Sequence, residues 1–172
     1  WRGAMEAFRS SGRADVRLEA PAKLELARDR VALASARLRF AEGEFRVDDL
    51  LVEQGRITSH GAFTGVPAET VARLAGASLP FTTDVAFGGA WSIAATPRLG
   101  GTISIRRERG DVRYDAGPGT SREEASIGLS RLDLDVRFDR RILEGSATLS
   151  FERIDPTATR LVLDTRGLDV AA

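Results

Sequence analysis

The stretch GAFTGVPAETVARLAGASLPFTTDVAFGGAWSIAATPRLGGTISIRRERGDVRY, from Gly61 to Tyr114, decides the fold. Proline is tolerated in the first turn of a helix, so Pro67 is predicted to open a short helix that ends near residue 75. After Pro80 the interval between apolar residues falls to two, which is typical of strands. One short helix therefore interrupts a long run of strands.

The strands of this chain are predicted to share one apolar face, because apolar residues alternate with polar ones along each of them. The residues assigned to that face are Val85, Phe87, Trp91, Ile93, Ile103, Ile105, Leu134, Val136, Phe138, Leu149 and Phe151. The alternation slips at Ser130-Arg131, which predicts a bulge or a tight corner. It breaks again at Leu50-Leu51-Val52, which predicts a bulge or a strand buried on both sides.

Small residues predict the face of one upstream strand. Ala32, Ala34 and Ala36 alternate and are expected to share a face with Leu38 and Phe40. The sequence thus predicts a single uninterrupted face along this strand.

Three further segments carry local predictions. Leu99-Gly100-Gly101 is predicted to be a hairpin turn. Residues 1–13 show little pattern and are predicted to be weakly ordered. Residues 115–124 are rich in Gly, Pro, Ser and charge, so a long loop is expected there.

Short strands separated by short turns predict an all-β fold, with residues 1–172 forming a single domain. The sheet is expected to be antiparallel, because one helix cannot supply the crossovers of a parallel sheet. From the residues alone, two architectures stay open. Either a second sheet covers the apolar face in a β-sandwich, or one long sheet curls lengthwise into a U-shaped groove.

Composition limits the function. Hydrophobic residues make up 42% and charged residues 29%, which is ordinary for a globular protein. Lys plus Arg and Asp plus Glu both number 25, so no basic excess favours nucleic acid or attraction to anionic lipid. Cysteine is absent, and no run of about 18 apolar residues predicts a membrane span. Because the chain starts at Trp1 without a signal-peptide pattern, we expect a piece of a longer protein, with any membrane anchor outside it.

Residues for catalysis are hard to find. His60 is the single histidine, so neither a histidine-based metal site nor a Ser–His–acid triad is predicted, and no cofactor motif occurs. Arg106, Arg107, Arg109 and Arg113 form a basic stretch where a phosphate could dock, although a solvated strand end is the commoner arrangement. Carboxylates brought together in space would still allow an enzyme. We predict no catalytic residue, no metal, no cofactor and no enzymatic activity.

A family resemblance appears in the order of the motifs. G-x-x-x-G-x-P, a short helix, Leu-Pro, Gly-Gly-x-Trp and Gly-x-x-x-x-Arg-x-x-Gly-Asp follow one another. They are formed by Gly61, Gly65, Pro67, Leu79, Pro80, Gly89, Trp91, Gly101, Arg107, Gly110 and Asp111. This order resembles the TamB branch of the AsmA-like proteins of Gram-negative envelopes, over roughly Val31 to Leu163. Ser126 to Phe138 is similar to that family's Leu-Gly-Leu segment and following strand, whereas Arg109 departs from the pattern.

The resemblance implies the groove rather than the sandwich. It also implies a function: a segment of a periplasmic bridge that carries phospholipid acyl chains between the inner and outer membranes. The full-length protein would be anchored in the inner membrane and would work with an outer-membrane β-barrel partner. The alternative role in the same family is a platform for translocation and assembly of outer-membrane proteins or autotransporters through strand pairing.

Overall fold

The computed structural model describes residues 1–11, 15–40, 42–74, 76, 78–79, 81–96, 98–114, 125–139, 142–152, 159–164 and 168–169. Strands dominate this part of the chain. They are β1 (Arg2–Met5), β2 (Arg9–Ser10), β3 (Val16–Leu18), β4 (Ala22–Ala27), β5 (Arg30–Phe40), β6 (Gly43–Glu53), β7 (Arg56–Pro67), β8 (Thr82–Thr83), β9 (Ala86–Thr96), β10 (Arg98–Arg109), β11 (Val112–Tyr114), β12 (Ala125–Ser126), β13 (Leu129–Asp139), β14 (Ile142–Phe151), β15 (Thr159–Asp164) and β16 (Leu168–Asp169). The helix α1 spans Ala68–Leu74.

Thirteen strands form one antiparallel sheet with the order β1-β4-β5-β6-β7-β9-β10-β13-β14-β15. Three further strands lie off this order: β16 pairs with β14, β3 pairs with β5, and β2 pairs with β3. A second sheet of three short strands has the order β12-β11-β8. The large sheet is not closed, because β1 and β15 lie at opposite ends of its order. The prediction of an antiparallel all-β fold with one short helix is confirmed.

The register of the large sheet separates an apolar face from a polar face, since directly opposed residues in antiparallel strands point to the same side. We call residues that lie directly opposite one another across successive strands a row. Three consecutive rows on one side of the sheet are mostly apolar. The middle row is Ala36, Val47, Gly61, Trp91, Ile103, Val136 and Gly145; its neighbours are Leu38, Phe45, Phe63, Gly89, Ile105, Leu134 and Ala147, and Leu33, Leu50, Ser59, Ile93, Gly101 and Phe138. We call this side the apolar face.

The apolar face is not covered by a second layer in the part of the chain that the structure describes. Its large side chains are half-buried, and no large side chain there is fully buried. Two packed sheets would bury such side chains between them. These residues therefore do not support the β-sandwich alternative.

One rim of the large sheet is capped by α1 and the small sheet. The backbone N–H of Ala68 donates to the carbonyl of Val85 at 2.8 Å, which ties the start of α1 to the residue before β9. Val66, Val85, Ala86 and Leu129 are buried there. α1 begins one residue later than predicted, because Val66 and Pro67 still pair with β9. Residue 75, the predicted last residue of the helix, lies outside the described residues.

Local backbone irregularities set which residues reach the apolar face. The register shifts between Leu129 and Arg131, which confirms the irregularity predicted at Ser130-Arg131. It also shifts between Val47 and Asp49, so the second irregularity lies at Asp48, two residues before the predicted Leu50-Leu51-Val52. Ser35 has a positive φ of 58°, and the face changes there. The predicted single face of the upstream strand is therefore wrong: Ala34 lies on the polar face, while Ala36 lies on the apolar one.

Two local predictions fail for identifiable reasons. Gly100 and Gly101 lie inside β10, paired with Ala94 and Ile93, rather than in a turn. Gly101 is needed because its φ is 147° and a Cβ would overlap the carbonyl of Ser92. Residues 1–13 were predicted to be weakly ordered, yet β1 pairs with β4 and β2 pairs with β3. Strands this short show too little alternation to be detected. The predicted loop at 115–124 lies outside the described residues.

Candidate functional site: the apolar face of the sheet

The predicted site residues fall into two groups. Ten of the eleven are half-buried strand residues, and the register places those of β9, β10 and β13 on neighbouring strands of the apolar face. Leu149 and Phe151 continue this face on β14, opposite Leu132 and Leu129. Val85 differs, because it precedes β9 and is only 2% exposed within the capped rim. Val85 is therefore a packing residue and does not line the open face.

An aromatic cluster forms the centre of the face. The rings of Phe45 and Phe63 stack with centroids 5.5 Å apart, and the Trp91 ring lies 6.1 Å from Phe45. The Phe40 ring meets Phe45 edge-on at 5.4 Å. The indole N–H of Trp91 donates to the Ser59 hydroxyl at 3.0 Å, so its polar atom is satisfied on the face.

Two glycines make room for these rings. Trp91 lies directly opposite Gly61 across the β7–β9 pair, and its ring covers the space where a Cβ would stand. Two positions along, Phe63 covers Gly89 in the same way. A bulky ring opposite a glycine protects the exposed backbone and fills the gap. The glycines and aromatic residues of the central motif thus build the floor of this face.

The prediction missed the contribution of β5, β6 and β7. The apolar face continues across these three strands and meets the predicted residues of β9. Its residues there include Leu38, Phe45, Val47, Leu50 and Phe63. The Gln54-Gly55 turn carried a usable signal, since a two-residue turn sets the register of its hairpin. The rest could not be found from alternation, because alternation does not report which strands become neighbours in the sheet.

The central strands of the sheet also form a concavity. A cleft of about 530 Å³ lies over β9, β10, β13 and β14. Its walls come from two polar-face rows, which contain Ser92, Thr102, Ser104, Asp135, Arg137, Glu144 and Ser146. Trp91, Ile103, Val136 and Gly145 lie in the row between and contribute its floor. The cleft is open, and its lining combines two polar-face rows with the middle row of the apolar face.

The Arg-x-x-Gly-Asp motif forms a clamp at the capped rim. The Asp111 carboxylate accepts hydrogen bonds from the backbone N–H groups of Val112, Gly128 and Leu129, at 2.8, 3.1 and 2.8 Å, and from the Ser126 hydroxyl. Burial opposes the ionisation of Asp111, but these donors outweigh it and hold the pKa of its carboxyl below the ordinary value. The Gly-Asp motif is thereby joined to the later Ile-Gly-Leu segment.

The basic stretch is not a single phosphate site. The Arg107 guanidinium donates to the carbonyls of Gly110 and Ser130, at 2.8 and 3.1 Å. Arg113 lies 3.7 Å from Asp84, and the hydrogen bond from the backbone of Asp111, with help from the charge of Arg113, lowers the pKa of Asp84. Arg106 lies on the polar face, opposite Asp133. Arg107 and Arg113 thus serve separate local contacts, and Arg106 lies on the other face of the sheet from Arg107.

His60 lies on the polar face and pairs with Asp49, with 2.9 Å between Nδ1 and Oδ1. Both side chains are about half exposed, so this pair contributes little to stability. Among the described residues, no three His, Asp or Glu side chains are grouped as a metal site would require. Within the same residues, no helix has the length and apolar character needed to cross a membrane.

Comparisons with protein-family models, with curated proteins and with solved structures find no match to this chain. We therefore infer the function from the sequence and from the geometry of the sheet.

Proposed function

We propose that this chain is a segment of a periplasmic lipid-transfer bridge, in which phospholipid acyl chains lie along the apolar face. The main support is the continuity of that face: three apolar rows cross β5, β6, β7, β9, β10, β13 and β14, and their large side chains remain half-buried. Seven strands about 4.8 Å apart span about 29 Å. Exposed apolar surface on this scale is typical of a binding surface.

The energetics favour an acyl chain as the occupant. Burying one methylene contributes about 0.8 kcal/mol, so eight methylenes contribute about 6 kcal/mol before ordering costs. The face offers no charged side chain in its three central rows, so an acyl chain would meet only apolar groups, glycine and Ser59. A charged or sugar ligand would find no matching groups on these rows.

The proposal includes lengthwise curvature of the sheet into a U-shaped groove, because a flat face would leave half of each acyl chain in water. Bulges support such curvature, since each one bends its strand and increases the local twist. The β6–β7 register shift lies in the middle of its strands, whereas those of the β7–β9, β9–β10 and β13–β14 pairs lie at the strand ends beside the capped rim.

The resemblance to TamB-like proteins supports the location and the partners within this proposal. The longer protein would be anchored in the inner membrane by parts outside these residues and would meet an outer-membrane β-barrel. β1 and β15, at the two ends of the sheet order, offer edges to which neighbouring segments would pair. The same edges favour a second candidate function, an assembly platform that holds strands of outer-membrane proteins.

A pair of photo-crosslinking residues tests the lipid groove. Leu134 lies on the apolar face opposite Ile105, and Asp133 lies on the polar face opposite Arg106. A photo-reactive residue at position 134 is expected to label bound phospholipid, whereas the same residue at 133 labels none. Mass spectrometry of the crosslinked lipid measures both.

Matched substitutions separate blocked binding from unfolding. Leu134→Asp is expected to abolish lipid labelling from a second probe at position 103, because a charge on the groove floor cannot be desolvated. Asp133→Leu is expected to leave that labelling unchanged. Circular dichroism checks that both variants keep the strand signal. Equal labelling at 133 and 134, or none at either in a folded chain, would remove the case for a lipid groove.

A further inference from the structure

A row of exposed apolar side chains lies along the rim opposite to the capped one. Trp1, Leu26, Val31, Ile57 and Leu99 are between 37% and 66% exposed. The register aligns four of them, because Leu26 opposes Val31, Val31 opposes Val52, Val52 opposes Ile57, and Ala95 opposes both Ile57 and Leu99. We call Trp1, Leu26, Val31, Val52, Ile57, Ala95 and Leu99 the rim row. It crosses six strands and the residue before β1, and these seven neighbouring segments span about 29 Å.

Trp1 belongs to this row through its backbone. The nitrogen of Trp1 donates to the carbonyl of Leu26, and the N–H of Leu26 donates to the carbonyl of Trp1, both at 2.8 Å. The Trp1 ring covers the space above Gly3, which lies opposite Leu24 on the apolar face. A highly exposed indole therefore ends the rim row on the same side as its leucines.

Unpaired arginines stand immediately beyond the rim row, at the tips of successive hairpins. Arg28 lies in the β4–β5 turn, Arg56 begins β7 and Arg98 begins β10. All three are exposed, and none has an ion-pair partner among the described residues. Two acids lie nearby: Glu53, which is opposite Arg56, binds Arg30 at 3.0 Å, while Asp29 accepts a hydrogen bond from the neutral Gln54 amide at 3.5 Å and keeps its charge. Four arginines (Arg28, Arg30, Arg56 and Arg98) outnumber two acids (Asp29 and Glu53) there, so the hairpin tips carry a net positive charge.

We propose that the rim row and the arginines at its hairpin tips dock on the surface of an anionic phospholipid bilayer. A line of apolar side chains suits shallow insertion, and tryptophan favours the boundary between acyl chains and headgroups. The arginines then meet lipid phosphates, and each basic residue near an anionic surface strengthens binding.

This inference is independent of the lipid groove. The rim row contacts the outside of a membrane, whereas the groove would hold separate acyl chains in the centre of the sheet. Lipid labelling at position 134 can fail while vesicle binding persists. That combination would contradict the proposed lipid groove and support membrane docking by the rim row.

Vesicle flotation of the full chain tests membrane docking by the rim row. It compares phosphatidylcholine vesicles that contain phosphatidylglycerol with vesicles that do not. The unmodified chain is expected to bind the anionic vesicles at low ionic strength and to dissociate in high salt. Arg28→Gln/Arg56→Gln/Arg98→Gln is expected to weaken this binding about 100-fold. Leu26→Ser/Ile57→Ser/Leu99→Ser is expected to weaken it at least about 10-fold. These side chains are exposed, so the sheet should keep its circular dichroism.

Matched controls remove the same groups elsewhere. Arg37→Gln/Arg106→Gln/Arg137→Gln takes three arginines from the polar face, and Val71→Ser/Leu74→Ser takes two exposed apolar residues from α1. Both controls are expected to bind like the unmodified chain. Absence of vesicle binding, or equal losses in the control and rim variants, would overturn the proposal. Self-association that the rim substitutions abolish, without vesicle binding, would assign the row to a second copy and overturn it as well.

Discussion

Replacing Asp111 by alanine is expected to lower the free energy of unfolding by about 3 kcal/mol. Its carboxylate joins two segments that are distant in the chain, because it accepts hydrogen bonds from Val112 on one side and from Ser126, Gly128 and Leu129 on the other. Alanine would leave these donors without their acceptor. Urea denaturation followed by circular dichroism measures the loss.

Asp135→Ala is the matched control, because Asp135 is an exposed aspartate on the polar face of β13. Its replacement is expected to change the free energy of unfolding by less than about 0.5 kcal/mol. Equal effects of the two substitutions would show that the Asp111 clamp contributes nothing beyond an ordinary surface aspartate.

The clamp also predicts a pH dependence. Because folding lowers the pKa of Asp111 below its ordinary value of 3.8, the ionised carboxylate stabilises the fold fully above that value. This contribution is lost as the pH falls through the lower pKa of the folded state. The stability difference between the unmodified chain and Asp111→Asn is therefore expected to shrink below about pH 4. Denaturation at several pH values measures it, and a difference that grows in acid would contradict the clamp.

Gly61→Ala is expected to cost about 3 kcal/mol, although it adds a single methyl group. A Cβ at Gly61 would overlap both the Trp91 ring and the backbone carbonyl of Arg46. The ring has room to turn away, but the carbonyl belongs to the β6–β7 pairing and moves only if the sheet moves. Thermal and urea unfolding measure this cost.

Gly100→Ala is the control for Gly61, since Gly100 also lies in a central strand. The nearest atom to a Cβ there is the carbonyl oxygen of Phe138 at 3.6 Å, an ordinary contact. Removing this glycine restricts the unfolded chain, so Gly100→Ala is expected to be neutral or slightly stabilising. A similar loss at both positions would mean that glycine is required for its backbone freedom rather than for the space beside Trp91.

The contacts of Gly61 and Asp111 also explain what the motif residues do. The backbone at Gly61 and Gly89 is covered by aromatic rings, and Trp91 supplies the ring over Gly61. Arg107 and Asp111 hold the segments of the capped rim together. Each of these tasks is structural. The resemblance to TamB-like proteins therefore concerns the way the sheet is built, and the lipid groove needs its own test at position 134.

The sequence by itself determined the fold class and most of the central part of the candidate site. Alternation of apolar and polar residues depends only on neighbours along one strand, so it revealed the strands and the apolar sides of β9, β10 and β13. The shifts near Asp48 and Ser130 were also visible, because a bulge breaks that same alternation. These features depend on residues close together in the chain, so they can be predicted from the sequence.

The tertiary structure alone decided which strands became neighbours and what met at the two rims. The left-handed backbone at Ser35 switched the face of β5, although serine carries no strong signal for such a conformation. Asp111 met Gly128 and Leu129 across a gap in sequence that no alternation reports. Although the net charge is zero, pairing placed Arg28, Arg56 and Arg98 along one rim, beside the row that contains Trp1. Such groupings depend on register between distant strands, which hydrogen bonding in the folded sheet fixes.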